Sequence, residues 1–398
     1  MQINSNQHIT YCTNVHPGKN WEETFLNLKK FVPQIKQAVS GDLPFGIGLR
    51  LSNIASEELE QGNNFETFKK WLASNNCYVF TMNGFPYGSF HNSIVKDQVH
   101  APDWTTKERL VYTKRLFEQL KALLPDGMEG GISTSPISYK HWFDTHEAVD
   151  AAFQKGAEHL SEIVQQLHEI EQETGKYLHL DIEPEPDGLI ENTQEFVDFY
   201  CNYLIPIGIK HLVSKIGVSE VEAENIIKRH ITLCYDVCHF SLAFETPEHT
   251  FEALENIGVT VGKIQVSAAL KVVFEDGKEN QIWESLERFN EPTYLHQVTE
   301  NINGSVKVYN DLPMVLEEKK SHKELRAHFH VPIFLEAFDH LYATQDQIIN
   351  TLKYIKNKPI SSHLEVETYT WDVLPQHLKL DLAQSITREL NWLKDHLE

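Results

Sequence analysis

Cysteine is scarce in this chain of 398 residues: Cys12, Cys77, Cys201, Cys234 and Cys238 are scattered and none forms a CxxC pair. That excludes a disulfide framework and leaves buried free thiols as the ordinary reading. Long apolar runs are missing too, none approaching the roughly 20 residues of a membrane span. Residues Met1 to Gln7 lack the basic start and apolar core of a secretory signal, so a soluble, cytoplasmic protein without membrane insertion is expected. Basic residues are short, with 35 Lys and Arg against 57 Asp and Glu and a formal net charge of −22. Such a field repels phosphate backbones and argues against nucleic acid as a partner. No GxGxxG follows the first β-rich run, which removes the main signature of an open dinucleotide-binding sheet. What remains is a globular composition, 41% hydrophobic and 23% charged.

Short β-rich runs alternate with longer helical stretches. The runs are His8 to Asn14, Phe45 to Leu51, Tyr78 to Gly84, Gly130 to Thr134, Tyr177 to Glu183, Ile231 to Asp236, Gly262 to Val266 and His363 to Glu367. Between them, Trp21 to Val39, Asn64 to Ala73, Thr106 to Leu124, His146 to Thr174 and Gln345 to Lys356 repeat apolar residues every three or four positions, the helical period. Eight strand-helix repeats predict an α/β protein with one (β/α)₈ TIM barrel over residues 1–398; a doubly wound open sheet is the alternative. The rhythm breaks between about 271 and 325, where loop, hairpin and short helix are expected as an insertion near the active-site mouth. A lid, a packing element or a dimer contact would all suit it, so a homodimer is allowed. A further run, His328 to Phe334, is either an accessory strand or a replacement for Gly262 to Val266 as barrel strand seven.

Chemistry in such barrels collects where the strands end. The fifth run ends Asp181-Ile182-Glu183-Pro184-Glu185-Pro186, and strand alternation puts His179, Asp181 and Glu183 on one face, with Glu185 and Asp187 read as loop acids. The sixth ends Asp236-Val237-Cys238-His239, a carboxylate followed by an imidazole, weak alone but stronger at the tip of an apolar strand. The seventh offers the neutral oxygen of Gln265, as a ligand or as a buried amide satisfied by backbone. The eighth places Glu365 and Glu367 on one face, followed by Tyr369 and Trp371; two inward acids call for a cation, a proton or a basic partner. His328 and His330 alternate on one face, and His330 is a candidate ligand. Asn14, His16, Arg50 and Asn83, near the ends of the first three runs, are candidates for holding substrate hydroxyls or a carboxylate, as are His179 and His328. Arg50 alternatively neutralises the acids.

With Glu183 ending strand five, Asp236-x-x-His239 after strand six, a polar residue on strand seven and Glu367 on strand eight, the chain resembles the xylose isomerase-like superfamily of TIM barrels. Within it, Tyr11 to Gly18, His328 to Pro332 and Leu364 to Trp371 look like the metabolite traffic protein EboE family over nearly the full length. The resemblance implies a sugar phosphate isomerase/epimerase-type site: Glu183, Asp236 and Glu367 as ligands of a divalent metal (Mn, Mg or Zn), and His239 as a substrate contact. The superfamily pattern puts histidine where Gln265 stands, so either His330 substitutes, or the metal is held more weakly, or a binding role has replaced catalysis.

The leading expectation is a metal-dependent isomerase or epimerase of a small oxygen-rich metabolite, a sugar, polyol or keto compound, with Glu183 and Glu367 on opposite sides of the mouth exchanging a proton. One alternative is a metabolite-binding or traffic protein without turnover. A second is a metal-dependent hydrolase of a small phosphate ester, in which Asp236 and His239 help to activate water and two or more metals are held.

Overall fold

In the computed structural model, which describes residues 1–4, 7–88, 96–368, 371 and 381–397, the eight expected strands all form. Numbered along the chain, β1 (Gln2–Asn4) precedes β2 (Gln7–Tyr11), β3 (Phe45–Arg50), β4 (Cys77–Asn83), β5 (Gly130–Thr134), β6 (Leu178–Ile182), β7 (Ile231–Asp236) and β8 (Val261–Val266). The eighth barrel strand is β15 (His363–Val366). The sheet runs β1-β2-β15-β8-β7-β6-β5-β4-β3, parallel throughout except for β1, and a parallel bridge from Cys12 to Gly48 joins β2 to β3 and closes the ring. Val261–Val266 therefore is barrel strand seven, seated between β7 and β15.

These segments are strands because almost every residue in them is buried, as expected when helices cover the outer face and side chains fill the interior. The outer helices begin where short polar side chains can accept the first free backbone N–H groups: Asn20 caps Trp21–Val39, Thr106 caps Lys107–Leu123 and Thr145 caps His146–Thr174. None among the described residues is long and apolar enough to cross a membrane.

The run from 268 to 343 departs from the repeat. It builds a second sheet, antiparallel wherever paired: β9 (Ala268–Val273), β10 (Val298–Ile302), β11 (Ser305–Tyr309), β12 (Glu324–Val331), β13 (Ala337–Phe338) and β14 (Leu341–Ala343), in the order β11-β10-β12-β9-β14-β13. This unit is wider than the 271–325 read from the sequence, because β9 starts two residues after β8 and the histidine run belongs to β12. That strand begins at Glu324, four residues before the expected start, and it is not a barrel strand.

The C-terminal helix Leu382–Leu397 is tied down by Glu389, whose carboxylate accepts from the Thr368 hydroxyl at 2.6 Å and from the Ile333 amide at 3.2 Å. Burial lifts this carboxyl from 4.5 to about 8. The folded chain thus holds a proton that the unfolded chain gives up near 4.5, so the contribution to stability is complete below that value and is lost as pH rises through 8. At 1.4 kcal/mol per unit, the loss has a ceiling of about 5 kcal/mol. Glu389→Gln, which imitates the protonated acid, is expected to flatten the fall in stability between pH 5 and 9. Urea denaturation across that range measures it, and parallel curves for variant and wild type would refute the assignment.

Candidate metal centre

The barrel interior is polar at three levels. At the foot, where strands begin, the His179 and His363 rings lie 5.2 Å apart, and His179 Nδ1 meets Asp181 Oδ1 at 2.5 Å. At the waist the Lys263 ammonium sits 3.1 Å from Glu365 Oε2 and donates to the Met82 carbonyl and the Ser133 hydroxyl, all out of contact with solvent. Burial opposes the charge on Lys263, but Glu365 first, together with Cys234, Cys12 and Asp181, outweighs it and pushes its pKa above the ordinary range. Glu365 therefore has its basic partner.

At the mouth, Glu183 stands one residue past β6, its amide on the Thr134 carbonyl, and Glu367 one residue past β15, its amide on the Val266 carbonyl. Asp236 closes β7 and caps the helix Val237–Leu242. Its Oδ1 accepts from the His239 amide at 3.1 Å and the Ser267 hydroxyl at 2.7 Å, and Oδ2 is buried without a hydrogen bond. The DxxH spacing is thus an N-cap that presents both side chains from one turn. His330 arrives from β12, in the irregular part of its pairing with β9; Nδ1 donates to the Glu367 carbonyl at 2.7 Å and Nε2 lies 4.0 Å from Asp236 Oδ2. That gap is too long for a hydrogen bond and matches two ligands sharing an ion at about 2.1 Å each.

One oxygen from each of Glu183, Asp236 and Glu367 lies within 4.8 Å of the others, and ligand atoms of Asp236, His239 and His330 form a second such group. The two expected acids start on strands three places apart in the sheet and converge, rather than facing each other across the mouth. Burial first, then the neighbouring carboxylates, pushes Glu183 and Glu367 well above the usual range. Burial works against ionisation of Asp236 as well, yet the facing imidazoles and the Ser267 hydroxyl hold it below its ordinary value. Burial lowers His330 to about 4 and depresses His239, leaving neutral imidazoles. A trio of carboxylates, two of them ionising only with difficulty, joined through Asp236 to a second group with two imidazoles, makes a donor set that suits a divalent cation.

Gln265, read from the sequence as a ligand or a buried amide satisfied by backbone, is instead held by side chains. Its amide oxygen accepts from the Cys234 thiol at 2.8 Å and its amide nitrogen donates to Glu367 Oε2, so it steadies a carboxylate. Asn14 and Asn83 donate to Glu367 Oε1 at 2.6 and 3.0 Å, which puts both at the mouth as positioning groups.

His179 belongs to the foot, because it is the second residue of β6 and only the residues past that strand's end reach the mouth. Arg50 donates to the Gly18, Pro86 and Gly88 carbonyls. It neither neutralises the acids nor lines their pocket, but stands with His16 around a small separate cavity, where His16 stacks on Phe31. Tyr369 lies outside the described residues.

The mouth pocket, about 620 Å³ counting the space open to solvent, is walled by Asn14, Asn83, Glu183, His239, His330 and Glu367 below, with Phe85, Lys96, His100, Tyr294, Gln297 and His328 above. Glu185 and Asp187, read as loop acids, are both buried: Glu185 faces His100 at 4.0 Å and Asp187 meets His141 at 3.1 Å. His100 and Gln297 had no signal in the strand pattern, since they come from a loop and from the second sheet. His239 Nδ1 donates to the Pro184 carbonyl and His328 Nδ1 to Gln297 Oε1, whose orientation is set by its own amide on the Pro186 carbonyl. With both rings neutral, their Nε2 lone pairs confront each other at 3.1 Å.

No family model and no curated protein matches the chain. Among solved structures it is similar to a xylose isomerase-like TIM barrel protein from Mycobacterium smegmatis in complex with magnesium. The TM-score is 0.52 and the identity 9%, covering 100% of this chain and 98% of that one. The chain has the xylose isomerase-like TIM-barrel fold. Further likenesses are to a D-tagatose 3-epimerase-like protein (TM-score 0.49, 12% identity, 98% of this chain and 97% of that one) and to an IOLI protein with a bound zinc atom (0.49, 12%, 98% of each). In this xylose isomerase-like barrel the second sheet brings His330 to the mouth.

Proposed function

We propose that the protein is a divalent-metal-dependent isomerase or epimerase of a small oxygen-rich metabolite. The reading rests on one observation: three buried carboxylates, Glu183, Asp236 and Glu367, converge beside His330, and among the described residues no Lys or Arg forms an ion pair with any of them, Lys263 being paired with Glu365. A divalent cation held by Glu183, Asp236, Glu367 and His330 would supply Lewis-acid polarisation of a carbonyl oxygen.

The chain's own groups do the rest. Glu183, whose pKa is raised and whose Oε2 is buried without a hydrogen bond, starts ionised and takes the proton from the carbon beside the carbonyl; Glu367 starts protonated and donates its own, and the two carboxyls exchange protons with solvent before the next turnover. Asn14, Asn83 and Gln265 fix the Glu367 carboxylate through three amide N–H groups. His239 orients a substrate hydroxyl, and His328, Tyr294 and Phe85 limit access of water. The second sheet acts as a fixed wall over the mouth, and the whole chain serves as one barrel domain. The EboE likeness agrees with a metabolite-handling role and rests on sequence segments alone.

The test is solvent exchange. Metal-loaded protein incubated in ²H₂O with a panel of ketoses and hydroxyketones is expected to place deuterium on the carbon beside a carbonyl. Glu183→Gln is expected to lower that rate by about 100-fold or more, the usual range for a general base. Exchange that survives both Glu183→Gln and chelation would refute the proposal.

A second reading is favoured by the His239 and His328 lone pairs, which face each other as ligands of a shared ion do. It is a two-metal hydrolase of a small phosphate ester. Release of inorganic phosphate from ester substrates without solvent exchange at carbon would select it.

A further inference from the structure

The foot of the barrel, opposite the mouth, holds histidines that no step above uses. His179 Nδ1 donates to Asp181, and Asp181 also accepts from the Thr232 hydroxyl. That arrangement leaves the His179 Nε2 lone pair directed away from the carboxylate, as in the carboxylate-histidine pairs behind many metal ligands. His363, the first residue of β15, has no solvent contact, and neither ring nitrogen makes a hydrogen bond of normal geometry, although the Glu129 carbonyl lies beside the ring. A buried imidazole without partners costs on the order of 1–3 kcal/mol unless something else occupies its lone pair.

The third member is the Glu129 side chain. It sits one residue ahead of β5, half-buried, and accepts from the Ser362 hydroxyl. Ligand atoms of Glu129, His179 and His363 fall within 4.8 Å of one another. Room for the His179 ring and its partners is made by glycine: a Cβ at Gly131 would overlap the His179 ring, and one at Gly262 would overlap Asp181 and Thr232. All three groups stand at or just before the starts of their strands, the end of a TIM barrel that serves stability.

We propose that Glu129, His179 and His363 form a second, structural metal site, selective for Zn²⁺ or a similar transition ion, which ties the starts of β5, β6 and β15 together beneath the barrel. Two imidazoles and one carboxylate, with a carboxylate behind one imidazole, suit Zn²⁺ and leave its fourth position to water. Magnesium and calcium, which prefer all-oxygen surroundings, are disfavoured there.

The experiment uses the full chain, stripped with chelator, reloaded with Zn²⁺ or Co²⁺ and desalted, with metal counted by elemental analysis. His363→Gln and Glu129→Gln are each expected to hold one equivalent fewer than wild type, to lose the part of the Co²⁺ visible absorption due to this site, and to melt lower than wild type only when Zn²⁺ is present. Asp236→Asn is expected to lose a different equivalent and to keep the foot site, so failure at the mouth and failure here are told apart. Glu129 is half-buried and its Gln variant keeps the Ser362 contact, so that variant decides the matter if His363→Gln does not fold. Wild-type stoichiometry in Glu129→Gln, or loss of every equivalent in Asp236→Asn, would overturn the proposal.

Discussion

Asp236→Asn is expected to abolish divalent-metal retention at the mouth while leaving the fold intact. The amide oxygen can still accept from the His239 amide and the Ser267 hydroxyl, so the helix Val237–Leu242 keeps its cap. What is lost is the one carboxylate common to both mouth groups of ligand atoms, and the one that its surroundings hold ionised. Removing a group behind a ligand commonly weakens binding by about 10–100-fold, so losing a charged ligand itself should exceed about 1,000-fold. Isothermal titration with Mn²⁺, alongside circular dichroism to confirm the fold, measures it. Wild-type affinity in a folded Asp236→Asn protein would remove the basis of the proposed function.

Lys263→Met is expected to destabilise the chain by about 3–5 kcal/mol, the cost of leaving a buried charge without its partner. Glu365 would keep neither its ion pair nor water, and the Met82 carbonyl and Ser133 hydroxyl would lose a donor. The double variant Lys263→Met, Glu365→Gln removes both charges and is expected to recover more than half of that loss. Urea denaturation of wild type, single and double variants forms the cycle. Additive losses would show that the two side chains do not act as a pair.

Much of this was legible in the sequence because a (β/α)₈ chain writes its architecture locally. Each strand is a short buried run, each helix has its own apolar stripe, and the acids Glu183, Asp236 and Glu367 announce themselves by standing at the ends of apolar strands. The partners of Gln265 and the depth of His179 were not legible, because strand alternation gives the face of a residue but neither its depth nor the partner of each amide atom. Arg50 was misread because a guanidinium near a strand end can equally well bind loop carbonyls. His100, Gln297 and the burial of Glu185 had no periodic signal, since they depend on how loops and the second sheet fold over the mouth. His330 was recognisable as a histidine on a β run. That it would stand 4.0 Å from Asp236 follows only from the docking of one sheet on another.

The origin of His330 outside the barrel bears on the order of assembly. Barrel strands and their helices form from neighbouring stretches of chain, whereas β12 reaches the mouth only after more than fifty residues following β8 have folded into a layer of their own. A barrel without that layer would present the three carboxylates and the His239 imidazole, but not His330. On the proposed metal site, the contribution of His330 to affinity would arrive only once that layer has docked, so metal uptake would report on its assembly.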